Sequence, residues 1–122
     1  MSNLKYSNFE EDNRIEAMAN HTYPGGVRVD PMPITAGQDV TILYSGLLAN
    51  SGADQVFLHL GYGDSDKWED TQELRMEKLG WGWAKVISAD DWGRTMNLCF
   101  RDSASNWDNN SGHNWSFQIH NG

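Results

Sequence analysis

The sequence predicts an all-β fold, an antiparallel β-sandwich of about seven short strands. Three observations predict it. Apolar and polar residues alternate with period two in segment after segment, as strands with one buried and one solvated face require. Clusters of Gly, Asn, Asp and Ser, the residues that make turns, recur about every 8–15 residues. No stretch sustains apolar spacing at three and four residues, so no substantial helix is expected. With 122 residues the chain has the length of one domain, enough to bury roughly two-thirds of the surface its unfolded form exposes.

The elements follow in order. Residues 1–24 read as a polar, acidic extension in which Leu4, Tyr6, Phe9, Ile15 and Met18 are scattered. Ile15 and Met18 lie three apart, which allows no more than a short helical turn. Tyr23-Pro24-Gly25-Gly26 is a turn signal closing this extension, and the sandwich is expected over residues 25–122. Val27 and Val29 begin the alternation; Pro31 and Pro33 then end that strand or place it at a sheet edge. Ala36-Gly37-Gln38-Asp39 turns into a strand of Val40, Ile42 and Tyr44. Ser51-Gly52-Ala53-Asp54 turns into Val56, Leu58 and Leu60, which alternate with Phe57, His59 and Gly61. A polar loop is expected from Asp64 to Asp70, carrying Trp68. Leu74, Met76 and Lys78 lead to a turn at Gly80-Trp81-Gly82, and Trp83 to Ile87 return. After Asp90-Asp91-Trp92-Gly93 come Met96, Leu98 and Phe100, and finally Trp115, Phe117 and Ile119.

Composition excludes several classes of function. The formal net charge is −8, which opposes nucleic acid, whose affinity comes mainly from Lys and Arg on phosphates, and equally an anionic membrane surface. No apolar run approaches the ~18 residues of a membrane span. Residues 1–12 lack the apolar core of a secretory signal, so a cytoplasmic location is expected for the chain as written, or secretion from a longer precursor. The single cysteine, Cys99, excludes an internal disulfide and a cysteine-based metal site.

The most informative stretch is Ser105–Trp115, which holds two tryptophans, four asparagines, an aspartate and a histidine. Asn, Asp, Ser and Gly build loops; a loop needs no tryptophan. A flat apolar face ringed by amides suits a ligand with apolar faces and many hydroxyls, such as a sugar ring. Trp107 is flanked only by polar neighbours, and an exposed tryptophan is costly enough to need a reason. Trp68 is likewise a lone aromatic among charges. Trp115 alternates in phase with Phe117 and Ile119 and is read as core, as is Trp83. Pattern assigns neither Trp81 nor Trp92. His59 faces away from Val56, Leu58 and Leu60, either as a solvated side chain or as the edge of an aromatic platform.

Catalysis finds no support. Glycoside cleavage needs two carboxylates, one with a raised pKa. Asp102, Asp108, Glu69 and Asp70 all lie in strongly polar stretches, where turn formation or solvation accounts for them. Asparagine amides bind but transfer no protons at neutral pH. Asp64–Trp68 and Asp108–Gly112 lack calcium-loop spacing, so neither a metal nor any other cofactor is expected.

Three segments carry a family resemblance. They are Val56-Phe57-Leu58-His59-Leu60-Gly61-Tyr62-Gly63, then Trp68, then Leu98-Cys99-Phe100-Arg101-Asp102 followed by Asn106-Trp107-Asp108-Asn109-Asn110-x-Gly112-x-Asn114-Trp115. Together they resemble the starch-binding carbohydrate-binding modules of families 25 and 53, over roughly residues 27–120. The resemblance implies an immunoglobulin-like β-sandwich without catalytic activity that binds α-1,4-linked glucan (starch, glycogen, maltooligosaccharides). It also implies partnership with polysaccharide-active enzymes. The site it implies is a shallow surface of His59, Trp68 and Trp107, with Asn109, Asn110, Asp102 and Asn114 bonding glucose hydroxyls. The alternative reading is a protein-interaction β-sandwich that uses the same exposed aromatics as a hot spot.

Overall fold

The computed structural model describes residues 22–80, 82–89 and 94–121. In chain order the strands are β1 (Thr22–Tyr23), β2 (Val27–Asp30), β3 (Ile34–Thr35), β4 (Asp39–Tyr44), β5 (Val56–Asp64), β6 (Lys67–Arg75), β7 (Glu77–Lys78), β8 (Trp83–Ser88), β9 (Thr95–Asp102), β10 (Trp107–Asp108) and β11 (Trp115–His120). One sheet runs β1-β2-β4-β8-β7; the other runs β3-β11-β9-β5-β6, with β10 added to β9. Among the described residues, seven strands have four residues or more and the other four have two. Six of the seven long strands are those the alternation implies, β6 being the departure, and the two sheets form the expected sandwich.

The inward faces follow the period-two pattern. Val27, Val29, Val40, Ile42 and Tyr44 from one sheet meet Leu58, Leu60, Tyr62, Met96, Leu98, Phe100 and Ile119 from the other, all essentially inaccessible to solvent. Each such aliphatic side chain contributes about 1.5–3 kcal/mol of burial. Trp83 and Trp115 are buried in this core, as their phase predicts. Trp115 stacks edge-on against Phe100 and donates its indole N–H to the Pro24 carbonyl at 2.7 Å. After β2, the Pro31–Pro33 segment carries the chain across to the edge of the second sheet as β3.

Four features differ from the sequence reading. The segment Asp64–Asp70 is not a long loop: β5 runs to Asp64, Ser65-Asp66 form a tight turn, and β6 starts at Lys67. Length explains the miss, because a charged edge strand carries little apolar alternation to read. Next, β6 and β7 belong to different sheets. Buried Met76 is the switch point, its N–H bonded to the Val56 carbonyl at 2.9 Å. A single-turn helix, α1 (Leu47–Asn50), connects β4 to β5 and is too short to leave a periodic signal. Finally, β3 pairs with β11 in parallel, Ile34 opposite Ile119, whereas the other strand pairs are antiparallel. The expected turn around Ile15 and Met18, the turn at Asp90–Gly93, and Trp81 and Trp92 lie outside the described residues.

Candidate functional site

The outer face of the second sheet carries the site. On β5, Val56, Leu58 and Leu60 point into the core, so Phe57, His59 and Gly61 face out. Two tryptophans meet His59 there. Trp68 lies nearly parallel to the imidazole, with centroids 5.6 Å apart and planes inclined by 28°. Trp107 stands perpendicular to it at 5.4 Å and 90°. The three rings named from sequence thus form one contiguous surface from β5, β6 and β10. Trp107 is 48 % exposed, unusual for so large an apolar side chain.

Trp68 reaches this face through a β-bulge. Leu60 pairs with Gln72 and Tyr62 with Glu69, so Gly61 alone stands opposite both Asp70 and Thr71. Trp68 shares sequence parity with Leu74, which packs inward against the core. One extra residue inverts that parity, as period-two geometry demands, and turns Trp68 outward beside His59. Asp70 adopts φ 50° at the bulge, and Arg94 holds its carboxylate at 2.9 Å. The Trp68 indole N–H is fixed on the Ser65 carbonyl at 2.8 Å. Gly61 makes the floor: a Cβ there would sit 2.8 Å from Trp68 Cβ and 2.9 Å from its Cε3.

Trp107 is set by its neighbour. In the two-residue strand β10, Trp107 pairs with Arg101 and faces out while Asp108 pairs with Phe100 and is buried. Asp108 Oδ2 accepts the Tyr44 hydroxyl at 2.6 Å, and that hydroxyl also accepts the Leu48 N–H at 3.0 Å. Burial first, and then the bond to Asp108, push the Tyr44 phenol well above its ordinary range. Asp108 is therefore a buried anchor as well as the turn-forming acid expected from its polar surroundings, its Oδ1 accepting the Asn110 N–H at 3.3 Å. The sequence reading had no means of pairing it with a tyrosine 64 positions away.

The polar residues named from sequence divide by occupation. Asp102 accepts the Ala104 and Asn106 N–H groups at 3.0 and 2.8 Å and the Asn106 side-chain amide at 3.0 Å. Those bonds, the Asn106 side chain first, hold its carboxyl below the usual range. Asn109 Oδ1 caps the Gly112 N–H at 3.0 Å, and the Asn110 amide donates to the Asn114 carbonyl at 3.1 Å. Asn110 and Asn114 both adopt left-handed φ, 56° and 57°, which asparagine tolerates better than other side-chain-bearing residues. The asparagine richness therefore has a local cause: it lets the loop return from β10 to β11. Asn114 is half-buried beneath the loop and Asn109 is exposed.

Two charged residues escaped the sequence reading. Glu73 stands directly across from His59 on β6, and Arg101 on β9 grips it with Nε and Nη2 at 2.9 and 2.6 Å. These bonds draw the Glu73 carboxyl below its ordinary value. Arg101 also lies over the Phe57 ring, 4.5 Å from its centroid. Only the β5–β6 register, bulge included, could have revealed the Glu73–His59 pairing. Cys99 is buried across from His59, its thiol pushed up to about 12 chiefly by burial.

The result is a shallow aromatic surface on a two-sheet β scaffold, with Asp70, Glu73, Asp102 and Asp108 already hydrogen-bonded. That combination defines a binding module, a surface-site β-sandwich of the carbohydrate-binding kind. Residues 40–120 match the model of the starch/carbohydrate-binding module family 53, and the chain belongs to that family. It is 35 % identical over 105 residues to an α-amylase of Clostridium acetobutylicum; the match covers 84 % of this chain but 13 % of the amylase. Among solved structures it is similar to a bromine derivative of BhCBM56, with a TM-score of 0.51 and 19 % identity over 80 % of this chain and 96 % of the other, a likeness of fold.

Proposed function

We propose that the chain binds α-1,4-linked glucan (starch, glycogen or maltooligosaccharides) on the His59–Trp68–Trp107 surface and does not cleave it. The observation that carries this reading is the convergence of three rings on one solvent-facing sheet surface. Stacked His59 and Trp68 offer a flat face to one glucose unit, and perpendicular Trp107 offers a second face at an angle, which fits a curved chain better than a flat one. Exposed Asn109 and the neighbouring Asn110 supply amide groups for sugar hydroxyls, with half-buried Asn114 behind them. Asp102 contributes by shaping the loop that leads to Trp107, since three donors already occupy its carboxylate. The bonds held by Asp70, Glu73, Asp102 and Asp108 do not suit a general acid for glycosidic proton transfer. The match to a segment of an amylase supports a role beside a polysaccharide-active enzyme.

An open site makes few desolvated contacts, so affinity is expected at about 10 µM to 1 mM. Retention on insoluble starch, with maltooligosaccharide titration followed by tryptophan fluorescence, tests the reading. Trp107→Ala is expected to weaken binding at least about tenfold. Absence of retention and of any spectral change refutes the function; full binding by the variant refutes the site.

A further inference from the structure

His59 holds its two nitrogens in different surroundings. Nδ1 is buried without a hydrogen-bond partner, although the side chain as a whole is 30 % exposed. Glu73 Oε2 lies 3.8 Å from Nδ1. Across the strand on the other side is Cys99, a buried thiol that stays neutral. Arg101 approaches the same cluster, but its Nε and Nη2 point at the two Glu73 oxygens. A neutral imidazole carries one N–H, and the second nitrogen presents a lone pair. A lone pair facing a carboxylate is repelled; an N–H facing it is attracted.

We infer that Glu73 is a positioning and specificity residue that fixes His59 as the Nδ1–H tautomer, so that Nε2 faces the ligand as a hydrogen-bond acceptor. On the proposed glucan site, this requires the contacting sugar group to be a donor, a hydroxyl hydrogen directed at Nε2. Arg101 completes the device: its paired bonds keep Glu73 ionised and hold the carboxylate in place beside the ring. The two rings packed on His59 carry no charge, so Glu73 is the group that breaks the symmetry between the nitrogens. The specificity step rests on the proposed function; the tautomer itself does not.

Long-range ¹H–¹⁵N correlation spectra of the imidazole, recorded on the free protein at mildly alkaline pH, report the tautomer directly. The expected result is a dominant Nδ1–H form in the unmodified chain. Glu73→Gln leaves one oxygen, which Arg101 claims, so the balance is expected to move to Nε2–H; Glu73→Asp, which keeps the charge, is expected to restore part of it. Maltooligosaccharide affinity is expected to fall about threefold to tenfold in Glu73→Gln, the loss of one well-placed hydrogen bond. A dominant Nε2–H form in the unmodified chain, or an unchanged ratio in a folded Glu73→Gln, overturns the inference. If Glu73→Gln does not fold, the unmodified chain's spectrum alone decides. A protein that shows the Nδ1–H form yet ignores every α-glucan overturns the proposed function and the specificity step, and leaves the tautomer assignment standing.

Discussion

Removing one hydroxyl, in Tyr44→Phe, tests how the core positions the site. The ring stays stacked on Phe100, 4.1 Å between centroids, so the substitution opens little space. What it removes is the 2.6 Å bond to the buried Asp108 carboxylate and the acceptor for the Leu48 N–H. A hydrogen bond to a charged group is worth about 1.5–3 kcal/mol, and a stranded buried donor costs about 1–3 kcal/mol more. With partial relaxation the expected loss is about 2–4 kcal/mol, a fall in the urea midpoint of roughly 1–2 M at a slope near 2 kcal/mol/M. Because Asp108 is the chain neighbour of Trp107, starch retention should fall together with stability. The tyrosine also predicts an alkaline signature. Its folded pKa lies above its ordinary value of about 10, so its contribution is complete below that pH and is lost as pH rises beyond it. The stability gap between the parent chain and Tyr44→Phe should therefore narrow above pH ~10. An unchanged urea midpoint, or a gap that widens in alkali, refutes the anchoring argument.

Gly61→Ala places a Cβ 2.8 Å from the Trp68 Cβ and 3.0 Å from Thr71 Cγ2, so the β6 edge must shift; stability in thermal melts should fall by about 1–3 kcal/mol and maltooligosaccharide affinity about tenfold, and undiminished affinity would count against the floor assigned to Gly61. Asp102 has a depressed folded pKa, so its contribution is present above about pH 4 and lost as pH falls through the folded value. Asp102→Asn should flatten the acid side of the stability profile in thermal melts, and an acid loss equal to the parent's rejects that assignment.

Six of the seven long strands and their inward residues were legible in the sequence because alternation records burial directly: Val27 and Val29, Leu58 and Leu60, Trp115 and Phe117 all point where their phase says. Trp107 stood out as a ring flanked only by polar residues, whereas phase turned His59 outward beside Phe57 and left open whether it was solvated or part of a platform. Trp68 was singled out as an aromatic, but its strand was not, since a charged edge strand shows no apolar rhythm. Its direction was hidden by a one-residue bulge, which no local pattern announces. Glu73, Arg101 and the Tyr44–Asp108 bond depend on register between strands distant in sequence. The asparagines were legible as a loop, but composition could not separate those bent into left-handed φ from those free to meet a ligand.

Two of the three rings of the surface are oriented by chain neighbours that face the other way. His59 lies between buried Leu58 and Leu60, and Trp107 precedes buried Asp108. Period two ties core to site at these points, because a neighbour that shifts inward moves the ring outward by the same backbone. Trp68 is the exception: its flanking residues Lys67 and Glu69 are exposed, so no core side chain holds it. Its position comes instead from the bulge, the Ser65 carbonyl and the bare floor at Gly61. Core substitutions should therefore reach the surface through Trp107 and His59, while changes at the β5–β6 edge act through Trp68. On the proposed glucan site, the Trp68 half is the one expected to adapt, since local edge contacts rather than the core set its geometry.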